Sequence, residues 1–181
     1  MTLIAHHDTK ITTAVERLDA LSRRDLADLC DATDAAIVDG NGFGWLQPPQ
    51  RRVLEGYWRG VLVVPGRDLF VARLDDTIAG SAQLIRPTPN QEARAFAATL
   101  STHFVAPWAR GHGLAQGLIQ SVEETARAEG FEVLNLDVRE TQTAAIRLYR
   151  ARGFEHWGSQ PCYARVDGRM IAGHYYVKTL T

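Results

Sequence analysis

The chain has 181 residues, 45% hydrophobic and 23% charged, which suits one compact domain with a sizeable core and leaves little room for a second. A formal net charge of -1 argues against binding nucleic acid through a broad basic surface, and no window reaches the roughly 18 apolar residues of a membrane span. Cys30 and Cys162 are the two cysteines and fit neither a disulfide framework nor a metal-ligand spacing, so reduced thiols, a cytoplasmic setting and no metal are expected.

The opening "MTLIAHHDTK" lacks a basic lead followed by a long apolar run, as expected of a soluble, untargeted chain. Over 13–38, Val15, Leu18, Leu21, Leu26, Leu29 and Ile37 recur at helical spacing among acids and arginines, which predicts one or two amphipathic helices. "DGNGFGW" (39–45) breaks them, and "PPQRRVLEGYWRGVLVV" predicts a further helix behind its prolines. "DLFVARL" and "IAGSAQLIR" around "DDT" are a hairpin signature. "ARAFAATLSTHFVAP" reads as one long strand ended by Pro107, followed by a helix that stops near Gly130. "FEVLNLDV" is so continuously apolar that burial on both faces is expected. "TQTAAIRLYRARGF" gives another helix, with Gly153 at its stop, and "CYARVDGRMIAGHYYVKTL" gives two strands around Asp167 and Gly168. The order predicts an α/β fold: a mixed, mostly antiparallel sheet flanked by helices, in a single domain over 1–181.

The segment "VAPWARGHGLAQGLIQ" (105–120) moves from strand through an arginine and two glycines into a helix. A helix N-terminus offers unpartnered backbone N–H groups and roughly half a positive charge, and glycines let a ligand approach them closely, so this turn suits an anion such as a diphosphate. "GHG" alone also fits a plain tight turn. It lacks the third glycine of the dinucleotide fingerprint and the Lys-Ser/Thr pair of a P-loop.

With its surroundings the turn says more. The pattern R-x-x-G-x-A at Arg110, Gly113 and Ala115, after a strand ending "FVAP", resembles the acyl-CoA signature of the GNAT superfamily of N-acyltransferases. Further on, "QTAAIRLYRARGF" is similar to that family's second motif, N-x-x-A-I-x-L-Y-x-x-x-G-F: Ala145, Ile146, Leu148, Tyr149, Gly153 and Phe154 match, and Gln142 stands where Asn is usual. The resemblance covers about residues 60–180. It implies a six- to seven-stranded sheet splayed between its fourth and fifth strands, with acetyl-CoA as co-substrate in the gap. Within the superfamily, "SAQL" (81–84), "ARGHG" and the C-terminal hairpin resemble the branch containing the tabtoxin-resistance acetyltransferase, which acetylates a β-lactam amino-acid toxin.

By the same resemblance, Phe104 and Val105 would lie along the pantetheine arm. Backbone N–H groups from Gly111, His112, Gly113, Leu114 and Ala115 would face the diphosphate, flanked by Arg110, with Gln142 at the start of the second motif. Tyr149 would protonate the leaving thiolate; its alternative is a core aromatic. An unperturbed phenol, with a pKa of about 10, stays protonated near neutrality. The usual glutamate base is replaced by Thr99, which leaves Asp137, His103 or a water relay. Asp137 in an apolar strand is either functional or ion-paired to an arginine such as Arg139 or Arg147, and His103 is a titratable base or a structural residue. Apart from the resemblance, "GNGFGW" reads either as a mobile flap that packs Phe43 and Trp45 on the acceptor or as a glycine-rich interhelical loop, and Tyr163 and His174 either line the other side or are cross-strand pairs. The implied activity is acyl-CoA-dependent transfer of acetyl to a primary amine of a small molecule, such as an amino-acid-like toxin or antibiotic. A non-catalytic acyl-CoA-binding domain, a protein or peptide amine acetyltransferase and a nucleotide-binding domain are the other readings. No nucleic-acid or membrane partner is expected. Family members often pair through their C-terminal strands, which leaves a homodimer open.

Overall fold

The computed structural model describes residues 11–40 and 43–180. Strand β1 (Thr13–Leu18) comes first, then helix α1 (Arg23–Val38) and helix α2 (Arg51–Val63). The hairpin β2 (Arg67–Leu74) and β3 (Thr77–Ile85) leads to β4 (Ala97–Val105) and helix α3 (Leu114–Ala128). Next are β5 (Val133–Arg139), helix α4 (Thr143–Ala151) and the hairpin β6 (Glu155–Val166) and β7 (Arg169–Thr179). The strands form one seven-stranded sheet in the order β1-β2-β3-β4-β5-β7-β6, parallel only between β4 and β5.

Both hairpin turns follow from their residues. Asp75 and Asp76, and likewise Asp167 and Gly168, have positive φ at both central positions, as two-residue turns matching the strand twist require. Ser22 caps α1: its hydroxyl accepts from the Asp25 N–H while the Asp25 carboxylate accepts from the Ser22 N–H.

Two cores sandwich β2–β4. Phe70, Ala72 and Leu84 pack with α3, whereas Leu69, Val71 and Ile78 pack with α1 and α2. The expected helix over 13–38 is corrected in its first part: residues 13–18 form β1. A spacing of three puts neighbours on one helix face but on opposite faces of a strand. Val15 accordingly packs on the α3 side and Leu18 on the α1 side. The long strand expected from Ala93 to Pro107 narrows to 97–105, because a 3-10 turn occupies Glu92–Arg94 and Pro107 starts another.

Two irregularities of β4 shape the molecule. Ala82 of β3 faces both Thr102 and His103, a bulge in which Thr102 has φ +49°. The extra residue reverses the alternation, so Leu100 packs toward α3 while Phe104 packs toward α1 and α2. Gly80 permits the close approach here: a Cβ on it would lie 2.3 Å from the Phe104 carbonyl oxygen. Secondly, β4 and β5 pair only at Ala97–Val133, Ala98–Leu134 and Thr99–Asn135 and then diverge, the expected splay between the fourth and fifth strands.

Candidate active site

The divergence of β4 and β5 opens a cleft of about 1070 Å³. Beyond Thr99, β4 has no partner on this side, so its backbone groups face the opening. At one end, Gly111 (φ +84°) and Gly113 (φ +75°) turn the chain into α3, and no side chain caps the helix at Gly113. The first-turn N–H groups are thus available to a ligand. A recess of about 220 Å³ lies against Arg110, Gly111, Gly113, Leu114 and Ala115 and shares Val105 with the main cleft. Main-chain donors, an adjoining guanidinium and glycines whose added Cβ would meet nothing within 4 Å fit a diphosphate.

Arg110 is engaged from across the cleft: its Nη2 donates to the Asp39 carboxylate at 2.5 Å. Gln142 Nε2 likewise donates to the Gly40 carbonyl, and Arg139 Nη2 to the Phe43 carbonyl, both at 2.5 Å. The segment after α1 is therefore tied to three residues on the opposite rim. Phe43 packs edge-on against Phe104, and Trp45 against Tyr57, which makes this wall aromatic. Asn41 and Gly42 of the expected flap lie outside the described residues. Phe104 is buried and lines the cleft together with Val105, while His112 is exposed and bonded to the Ala109 carbonyl.

Tyr149 on α4 lines the cleft and is buried against Phe154 and Tyr176. Burial, with the Asp137 charge adding to it, pushes its phenol well above the ordinary range, so it is held firmly protonated. His103 contacts it at 3.0 Å through Nδ1, and Nε2 lies 3.0 Å from the Ala115 carbonyl. A carbonyl only accepts, so Nε2 carries the proton and Nδ1 accepts from the Tyr149 hydroxyl. Burial pushes His103 down to about 4, the bond to Ala115 opposing it, and the imidazole is neutral near pH 7. Both expected roles of His103 are thus modified: it orients Tyr149 and is a weak base.

Asp137 corrects another expectation. Strand β5 alternates, with Leu134, Leu136 and Val138 buried and Asp137 exposed, because α1 and α2 cover β2–β4 and leave this face of β5 open. Asp137 pairs with neither Arg139 nor Arg147; it accepts a short hydrogen bond from the Tyr163 hydroxyl. The phenol of Tyr163 is pushed up by burial and by Asp137. A bulge in β6 between Gln160 and Ala164 aims Tyr163 inward, over Gly173. His174 points elsewhere, bonded to Ser159 and edge-on to His156. Thr99 sits at the last paired position, below the cleft.

Sequence reasoning missed a polar chain behind the aromatic wall. Gln83 is fully buried in β3, accepts from Arg67 Nη1 at 2.8 Å and donates from Nε2 to the Tyr57 hydroxyl at 3.3 Å. "SAQL" carried a signal for it, a glutamine inside an apolar strand. Also missed was Glu123 of α3, buried and bonded to Lys178 Nζ at 2.7 Å and Arg152 Nη2 at 2.9 Å, with Arg127 at 3.6 Å. Among the described residues no cluster of His, Cys, Asp and Glu is arranged to hold a metal, and no helix is long and apolar enough to cross a membrane.

Comparison with known proteins agrees with this geometry. The chain is 66% identical over 128 residues, 71% of its length and 76% of the relative's, to an uncharacterized N-acetyltransferase encoded in the hisH-hisA intergenic region of Azospirillum brasilense. It is 37% identical over 62 residues, 34% of the chain and 36% of the relative, to the L-methionine sulfoximine/L-methionine sulfone acetyltransferase of Pseudomonas aeruginosa. Among solved structures, yncA of Salmonella typhimurium, determined with its cofactor acetyl-CoA, superposes with a TM-score of 0.75 at 16% identity over 93% of this chain and 94% of that one. Residues 30–154 match the family described as Acetyltransferase (GNAT) family, and with the splayed seven-stranded sheet this establishes that the chain belongs to the GNAT acetyltransferases.

Proposed function

We propose that this chain, as one domain over 1–181, is an N-acetyltransferase that moves acetyl from acetyl-CoA to a primary amine of a small molecule by direct attack. The observation that carries the reading is the convergence, on one cleft, of the uncapped start of α3, the unpaired side of β4 and the Tyr149 hydroxyl. Acetyl-CoA supplies the activated thioester. Its diphosphate would be held by the N–H groups of Gly111 to Ala115 and by Arg110 once freed from Asp39, and its pantetheine arm by the backbone at Phe104 and Val105, with Gln142 on the rim. Tyr149 keeps its proton for a thiolate and releases it only when the hydroxyl turns away from His103 Nδ1. Asp137, exposed in the cleft wall, would accept the proton of the attacking amine, with Tyr163 fixing the carboxylate. An amino-acid-like toxin or antibiotic as acceptor is supported by the similarity over 62 residues to the Pseudomonas enzyme.

Calorimetry and thermal unfolding with acetyl-CoA, ATP and NAD, together with acetyl-CoA turnover against a library of amines, test this. Stabilisation by acetyl-CoA alone, with amine-dependent release of CoA, is the expected result. Acetyl-CoA binding without turnover on any amine would leave an acyl-CoA-binding domain. Stabilisation by ATP or NAD instead would overturn the reading.

A further inference from the structure

We propose that Tyr57 recognises a carboxylate on the amine substrate, its hydroxyl polarised by a one-way chain of hydrogen bonds that begins at Arg67. The inference rests on the acetyl-transfer reading above and concerns the acceptor side of the same cleft.

A guanidinium has donors and no acceptor, so it dictates the direction of whatever bonds to it. Arg67 Nη1 lies 2.8 Å from Gln83 Oε1, which fixes the amide with its oxygen toward Arg67 and its NH2 toward Tyr57. The flipped amide would set donor against donor in a site where Gln83 is fully buried. The Tyr57 oxygen therefore accepts from Gln83, and the phenolic proton must point onward. It can point to Thr102 Oγ1, at a long 3.4 Å, or to a better acceptor in the cleft, which both residues line. If Tyr57 donates to Thr102, the Thr102 hydroxyl carries the same direction forward. The Thr102 hydroxyl also lies 3.3 Å from Ser101 Oγ, so the proton passed along the chain ends on that hydroxyl at the cleft wall or on an acceptor that a ligand supplies directly to Tyr57.

One further feature favours an anion as that acceptor, and two favour a site aimed in advance. Arg67 forms no ion pair among the described residues, and its Nε is buried with no hydrogen-bond partner, so its charge is not neutralised locally. Thr102, a β-branched residue held at φ +49°, occupies a conformation that such residues rarely adopt, and such departures gather where a side chain must be aimed. The ring of Tyr57 is fixed edge-on by Trp45 at 5.4 Å and by Trp58 at 5.0 Å, so the hydroxyl is preorganised. Arg67 and Gln83 act through Tyr57 as positioning residues.

The test uses the full chain with L-norleucine, L-phenylalanine and L-methionine sulfone, beside the amine left when each loses its carboxyl group. Binding to CoA-loaded protein is measured by calorimetry, and acetylation by CoA release. We expect each amino acid to bind and react better than its decarboxylated counterpart. Tyr57→Phe should raise KM for the amino acid about 10-fold more than for the counterpart, with little change in kcat, as loss of a hydrogen bond to a charged group predicts. Gln83→Glu is the sharper variant. It is nearly isosteric and pairs with Arg67, yet it can only accept, so it turns the Tyr57 proton inward. The unfolding temperature should hold while amino-acid KM rises about 10-fold or more, an outcome that a merely structural glutamine does not produce. Equal treatment of the two amine classes, or binding of no amino acid at all, would overturn the carboxylate assignment even if other amines are acetylated. Discriminating binding without turnover of any amine would instead remove the acetyl-transfer reading and leave the carboxylate site standing.

Discussion

The two walls of the cleft are held in place by different means. The α3 wall is clamped to the end of α4 and to β7 by the buried Glu123 cluster, and it offers a ligand its main chain. The opposite wall receives hydrogen bonds at Asp39, Gly40 and Phe43 from Arg110, Gln142 and Arg139 and offers the aromatic side chains of Phe43 and Trp45. A rigid wall of backbone donors suits a partner that never changes. A wall of side chains suits one that differs from enzyme to enzyme.

That contrast can be broken at several points. Glu123→Gln should have the largest effect, because it leaves Lys178 and Arg152 in a part-buried site without their anion: a loss of about 3 kcal/mol in unfolding free energy by denaturant titration. Tyr149→Phe should lower kcat about 100-fold while the Kd for acetyl-CoA stays within a factor of about three, the usual scale for removing a general acid. Unchanged turnover would place Tyr149 in the rigid wall only. Arg110→Ala should weaken acetyl-CoA about 10-fold, and Asp39→Asn should tighten it a few-fold by releasing the guanidinium; equal affinity in both variants would mean that the walls do not communicate. The smallest effect concerns acid stability. The folded-state pKa of His103 lies near 4, below its ordinary 6.5, so the unfolded chain binds more protons between these values and stability falls as pH drops through that window. His103→Gln should flatten the unfolding temperature between pH 6.5 and about 5, below which the depressed Asp25 and Asp68 carboxyls also lose their contribution as pH falls through the ordinary carboxylate range.

The rigid wall was the readable one. The glycine turn into α3 was legible as a turn, and the expectation of an anion there came from the R-x-x-G-x-A pattern around it, as that for Tyr149 came from its motif. The other wall was opaque for a physical reason: Tyr57, Gln83 and Thr102 are far apart along the chain, and the bulge in β4 that turns Thr102 toward Tyr57 is not written in the alternation of the strand. The burial of Asp137 was misjudged, since an apolar run does not reveal that the helices stop short of β5. The β1 residues misled because Val15 and Leu18 serve two cores, a distinction that spacing alone does not carry.

The three-residue seam between β4 and β5 has a mechanical meaning. The hairpin β6–β7 and β5 are joined to the rest of the sheet through a short stretch of rungs, so past Thr99 the β4 amides that face the gap should exchange with deuterium faster than those that face β3. A molecule lodged in the gap would act as a splint, and the protein would be stiffest at the moment it is ready to react.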